Sequence, residues 1–82
     1  MKNNTIYVGV GFSVPISEIE IIRSTGSEPV KRQIAGMRQA GLLQDARGGK
    51  KARTLIVLKS GRGIISPIQQ ETLDSRYNEA TR

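Results

Sequence analysis

Neither cysteine nor histidine occurs in this 82-residue chain, and that double absence constrains its fold more than any motif. A domain of this size buries only about 60% of the surface its unfolded chain exposes. Such domains are commonly stabilised by disulfides, a structural metal or association. Without cysteine the first is excluded, and without either residue type a metal loses its commonest soft ligands, so association is the expected supplement. The same absences remove Ser-His-Asp and Cys-His nucleophiles and any imidazole acid or base, and no enzyme is expected. The apolar run that follows Thr5 is interrupted by Gly9 and falls far short of a secretory h-region or of a membrane span of about 20 residues. With the lack of cysteine, this suits a cytoplasmic protein.

Hydropathy patterning predicts a single α+β domain over residues 1–82, with elements in the order ββαββα. Ile6, Val8 and Val10 alternate with Tyr7 and Gly9 as in a strand, and Gly9-Val10-Gly11 marks a bulge or a close backbone approach. Phe12-Ser13-Val14-Pro15 reads as a turn. From Ile16 to Ile22 a second strand is expected, with Ile19 and Ile21 on one face and Glu18, Glu20 and Ile22 on the other. Ser27, Glu28 and Pro29 have the chemistry of a helix start. Val30, Ile34 and Met37 then recur at helical spacing up to Gly41, a C-cap candidate. Thr54–Leu58 has the β-branched, continuous apolarity of a buried strand, Lys59–Gly63 is a turn, and Ile64-Ile65 a short partner strand. Ser66-Pro67-Ile68-Gln69 matches a capping box and predicts a short C-terminal helix toward Tyr77, with 78–82 a frayed tail. The expected architecture is a small, mainly antiparallel sheet with one long helix packed on it.

Charge is distributed unevenly. The chain carries 13 Lys+Arg against 7 Asp+Glu, a formal charge of +6. Between Ala46 and Gln70 lie Arg47, Lys50, Lys51, Arg53, Lys59 and Arg62 with no acidic residue, so this stretch accounts for the whole excess. A concentrated positive surface is the footprint of a polyanion site. The adjacent Gly48 and Gly49 let backbone approach phosphate oxygens. Phe12, Tyr7 and Tyr77 are the only aromatics, too few for a base-stacking platform. From charge alone a solvated basic face that only aids solubility stays open; among polyanions, double-stranded nucleic acid gripped by its backbone fits better, with Lys50, Lys51 and Arg53 clamping phosphates, Arg47 extending the patch and Arg32 contributing from the helix start. The alternative is an oligomeric scaffold or protein-binding module whose basic face meets an acidic partner or RNA.

Two glycine motifs carry no nucleotide site. Gly9-Val10-Gly11 has Val14 where a dinucleotide fingerprint needs its third glycine, and Gly49-Lys50 has Gln44 where a P-loop needs its first. Glu18 and Glu20 read as an exposed strand face or a subunit contact rather than as a metal or acid–base pair. No cofactor, metal or small-molecule substrate is expected.

Six segments in register carry a family resemblance: Gly9-Val10-Gly11, Ser24 with Ser27, Pro29-Val30-Lys31-Arg32, Asp45-Ala46, Gly49-Lys50-Lys51-Ala52-Arg53 and Ser66-Pro67-Ile68-Gln69-Gln70-Glu71-Thr72. Together they resemble the RemA family of bacterial extracellular-matrix regulatory proteins, from about Tyr7 to Leu73. The resemblance implies a nucleoid-associated, DNA-binding transcriptional regulator. It also implies homo-oligomeric rings, heptameric or octameric, with DNA following the outer rim. The family's DNA-contacting pair corresponds to Lys50 and Lys51. That pair is usually arginine, so lysine keeps the charge and loses the bidentate fork. The family's basic residue in the second strand is replaced by Glu18, which reverses the sign of one implied contact.

Overall fold

Every residue of the strand Thr54–Leu58 is buried, because it lies inside a sheet covered on both faces. The computed structural model describes residues 4–81; Met1–Asn3 and Arg82, at the two ends of the expected domain, lie outside them. Along the chain run β1 (Thr5–Gly9), β2 (Phe12–Pro15), a 3-10 turn (Ile16–Glu18), β3 (Ile19–Ser24), α1 (Glu28–Gln39), β4 (Leu43–Asp45), β5 (Thr54–Leu58), β6 (Gly63–Ser66) and α2 (Gln70–Ala80). β1 and β2 form an antiparallel pair, and the other four strands form a sheet of order β3-β5-β6-β4. Only β4 runs parallel to its neighbour, β6. Among the described residues the architecture is α+β, six strands in two mostly antiparallel sheets with two helices.

Alternation along β5 builds two cores. Leu55 and Val57 pack with Ile65, Val30 and the half-buried Ile34, Met37 and Leu43, which seats α1 on one face. Ile56 and Leu58 pack with Ile64, Ile19, the β1–β2 residues Ile6, Val8 and Val14, and Leu73 of α2 on the other. Burying a Leu or Ile side chain is worth about 1.5–3 kcal/mol. Two such layers over one sheet give an 82-residue chain more core than a single helix on one face could supply.

Several expectations shift in the folded chain. Phe12–Pro15 is a strand, not a turn, because Val14 pairs with Ile6 and closes over the second core. The strand expected from Ile16 begins only at Ile19. A register irregularity between Ile19 and Ile21 then places Ile22 opposite Ile56 and Ile21 opposite Val57. Ile22 therefore joins Ile19 over the second core, while Ile21 remains 39% exposed, the reverse of simple alternation.

Ser66 does not cap a helix. Its hydroxyl donates to the Val8 carbonyl and accepts from the Ile68 N–H at 3.0 Å, tying β6 to β1. α2 starts at Gln70 instead and is held to β3 by a hydrogen bond that Gln70 Nε2 donates to the Ile22 carbonyl at 3.2 Å. It spans 11 residues against 12 in α1, so Asn78–Ala80, expected to fray, are helical.

Gly41 is the expected helix stop, at φ 74°. Leu42 N–H reaches Met37 O at 2.9 Å and Gly41 N–H reaches Arg38 O at 3.2 Å, the paired bonds of a Schellman motif. Gly9 shows the expected close approach: a Cβ there would collide with the Ala46 carbonyl oxygen and Cβ. No described helix is long and apolar enough to cross a membrane.

A candidate polyanion-binding groove

Between β4 and β5 the chain passes the C-terminal end of β6, from the edge strand to an interior one, through the basic loop. Gly48 and Gly49 adopt φ of 60° and 82°, a left-handed backbone that other residues rarely take. The Lys50 N–H closes the turn on Arg47 O at 3.1 Å, leaving the Lys50 and Lys51 side chains exposed. The far end of the loop is pinned at three points. Arg53 N–H donates to Ser66 O at 2.8 Å, and Arg53 O accepts from Thr25 N–H at 3.1 Å. The Thr25 hydroxyl donates to Ala52 O at 3.0 Å. These bonds lock Ala52 and Arg53 to the β3–α1 turn, so their side chains project from a fixed frame.

A groove of about 550 Å³ opens between that loop and α1. Lys51, Ala52 and Arg53 form one wall, Lys31, Ile34 and Arg38 the other, and Ser24, Thr25 and Gly26 close one end. Lys31, Ile34 and Arg38 stand at i, i+3 and i+7, one face of a helix.

The expected residues are thus divided. Lys51 and Arg53 line the groove; Lys50 stands beside it on the same loop, outside the lining. Arg32 is exposed on α1, also outside the groove. Arg47 is held by Asp45, whose carboxylate accepts Nε at 2.9 Å and Nη2 at 2.8 Å from it, and the Arg47 peptide N–H at 2.9 Å. Those bonds, the side-chain ones foremost, pull the Asp45 pKa down to about 2. Arg47 therefore carries its own counter-charge, whereas Lys50, Lys51, Arg53, Arg32 and Arg38 enter no ion pair among the described residues.

The stretch from Ala46 to Gln70 is not one surface. Arg53 and Lys59 bracket the five-residue β5, which separates them by about 20 Å at the rise of an extended strand. Lys59 donates its N–H to Glu18 O at 2.8 Å, and Arg62 shares a hollow with Glu18 and Phe12 at that opposite end. Glu18 is therefore distant from Lys50 and Lys51, and it shares no strand face with Glu20, which sits at the register irregularity of β3. Lys31 and Arg38 enter the groove instead. Their seven-residue spacing around Ile34 is the signal the sequence carries for this, since i, i+3 and i+7 share a helix face though the charges are not adjacent in sequence.

The fold and groove define a small α+β domain that presents cations from a rigid frame. The chain belongs to the RemA-like family, described as extracellular matrix regulatory protein A-like, whose pattern matches residues 5–77. It is 38% identical over 77 residues to a protein of Thermodesulfovibrio yellowstonii, covering 94% of this chain and 91% of that one. It is 39% identical over 78 residues to one of Bacillus cytotoxicus, covering 95% and 90%. A Synechococcus protein is 38% identical over 77 residues, covering 94% and 86%. All three carry the provisional name of regulatory protein.

Proposed function

We propose that the chain is a non-enzymatic DNA-binding regulator, acting in transcription or in shaping the nucleoid, that grips the backbone of double-stranded DNA and works as a homo-oligomeric ring. The observation that carries this reading is the basic loop itself. Lys50 and Lys51 are exposed, have no carboxylate partner among the described residues, and precede an Arg53 whose backbone is pinned on both sides. A loop backbone already held in place pays no further ordering cost when its cations meet phosphates, and phosphate contacts supply affinity without reading bases. Arg47 flanks this surface with its charge tempered by Asp45, and Arg32 adds charge from the first turns of α1.

One protomer presents few contacts, so affinity has to come from repetition. Apolar side chains left exposed on the protomer support self-association: Val10 is 54% exposed, Tyr7 50% and Leu42 38%. A ring of such units would repeat the loop along a continuous basic rim, favouring DNA that bends easily.

Gel shift at moderate salt with the double variant Lys50→Glu, Lys51→Glu tests the loop, alongside solution mass with and without a duplex long enough to encircle a ring. The reading expects loss of the shift and a mass of several protomers. A double variant that binds like the parent would overturn the loop assignment, and a monomer in both conditions would overturn the ring. Affinity that barely changes with salt would instead favour an acidic protein partner.

A further inference from the structure

Lys31 and Arg38 lie seven residues apart on α1, about 10 Å along its axis. They face Lys51 and Arg53 across the groove. Four cations from two elements converge on a hollow whose apolar lining is Ile34 and Ala52, and no Asp or Glu lines it. The one ion pair these four cations make among the described residues is Lys31 with Glu28 at 3.9 Å, both side chains largely exposed, where solvent screens the pair; Glu71 shares a separate hollow with Arg53 without pairing with it. Asp45, whose carboxylate feels the charge of Arg38, is already bonded to Arg47. Like charges held around a hollow repel one another, and a single multivalent anion relieves all of those repulsions together.

Shape separates this hollow from the loop crest. A duplex can lay one backbone across Lys50 and Lys51, but it is too broad to descend between α1 and the loop, whereas a linear chain of phosphates can. At 550 Å³ the groove has the size of a small-ligand site. None of its lining residues is aromatic, so the group it recognises is the phosphate chain and not a base.

We infer that the groove is an effector site for a compact polyphosphate, either a free chain or the polyphosphate moiety of a nucleotide. Its occupancy displaces duplex DNA, because Lys51 and Arg53 serve both ligands. The displacement rests on the DNA reading above; the anion site does not.

Calorimetric titration of the full chain with inorganic tripolyphosphate at fixed ionic strength, with anisotropy on a labelled duplex in parallel, tests both. The expected result is one saturable site per chain, weakened about tenfold or more by Arg38→Gln and within about twofold of the parent in Lys50→Gln. Duplex binding should respond in the opposite way. Tripolyphosphate should weaken duplex binding of the parent and not of Arg38→Gln. ATP binding as tightly as tripolyphosphate identifies a nucleotide as a competent source, and much weaker ATP binding restricts the site to free chains. Absence of saturable tripolyphosphate binding, or binding indifferent to Arg38→Gln, overturns the effector site even if DNA is bound. Tripolyphosphate binding without duplex binding overturns the DNA reading and the displacement while leaving the site.

Discussion

Replacing Lys50 and Lys51 by glutamine should flatten the salt dependence of DNA binding by an amount the loop geometry sets in advance. Both side chains are exposed and without an ion-pair partner among the described residues, so each is free to replace one condensed counterion on DNA. With Arg53, three phosphates per engaged protomer are neutralised, and log K against log salt should fall with a slope of about −2.7 per protomer. Between 50 and 200 mM salt that is a loss of about 40-fold. Of these three the double glutamine variant keeps Arg53, which reduces their share of the slope to about −0.9 and the loss to about 3.5-fold over the same interval. In a ring the difference of about 1.8 is multiplied by the number of protomers in contact, a number that the solution mass and binding stoichiometry supply. Fluorescence anisotropy on a labelled duplex across a salt series measures it. Parallel lines for parent and variant would show that the loop does not touch phosphate, whatever the affinity at one salt concentration, and the reasoning from exposure and lack of partners would fail.

Two further expectations test the frame behind the loop. Gly9→Ala should destabilise the fold by about 2–3 kcal/mol, because the new methyl meets the Ala46 carbonyl, which is backbone and cannot swing aside; a urea midpoint equal to the parent's would refute that close approach. Asp45 should titrate at about 2 by carboxyl-resolved NMR. Its pKa is depressed in the folded chain, so the ionised carboxylate favours the fold above the unfolded value of about 3.9, and this contribution fades as pH falls from there toward 2. In Arg47→Gln the Asp45 midpoint should climb back toward the ordinary carboxylate range, and a parent that already titrates there would remove the case for an occupied Arg47.

What could be read from the sequence followed from local chemistry. The unbroken apolarity of Leu55–Leu58, preceded by β-branched Thr54, marked the central strand, because a strand covered on both faces buries side chains of both parities. The stripe of Val30, Ile34 and Met37 and the stop at Gly41 marked α1, since a 3.6-residue period and a left-handed cap are properties of the segment itself. Gly9 announced a close approach, because a glycine breaking a strand's alternation marks a place where backbone comes near. Within the groove, Lys51 and Arg53 were legible as members of one basic run.

Tertiary structure decided the rest, because the deciding partners are remote in sequence. β4 has three residues and exists only because β6 offers it a parallel edge some twenty residues later. Ser66 has the sequence of a helix cap, but the Val8 carbonyl, 58 residues away, takes its hydroxyl, and the helix begins at Gln70. A single irregularity at Glu20 exchanged the faces of Ile21 and Ile22. The same logic divided the charge. The five residues of β5 placed Arg53 and Lys59 at opposite ends of a strand, while the turn through Ser24–Gly26 brought Lys31 and Arg38 beside Lys51 and Arg53. Charge composition determined that this chain would carry a positive surface; sheet order and the seating of α1 determined where it lies.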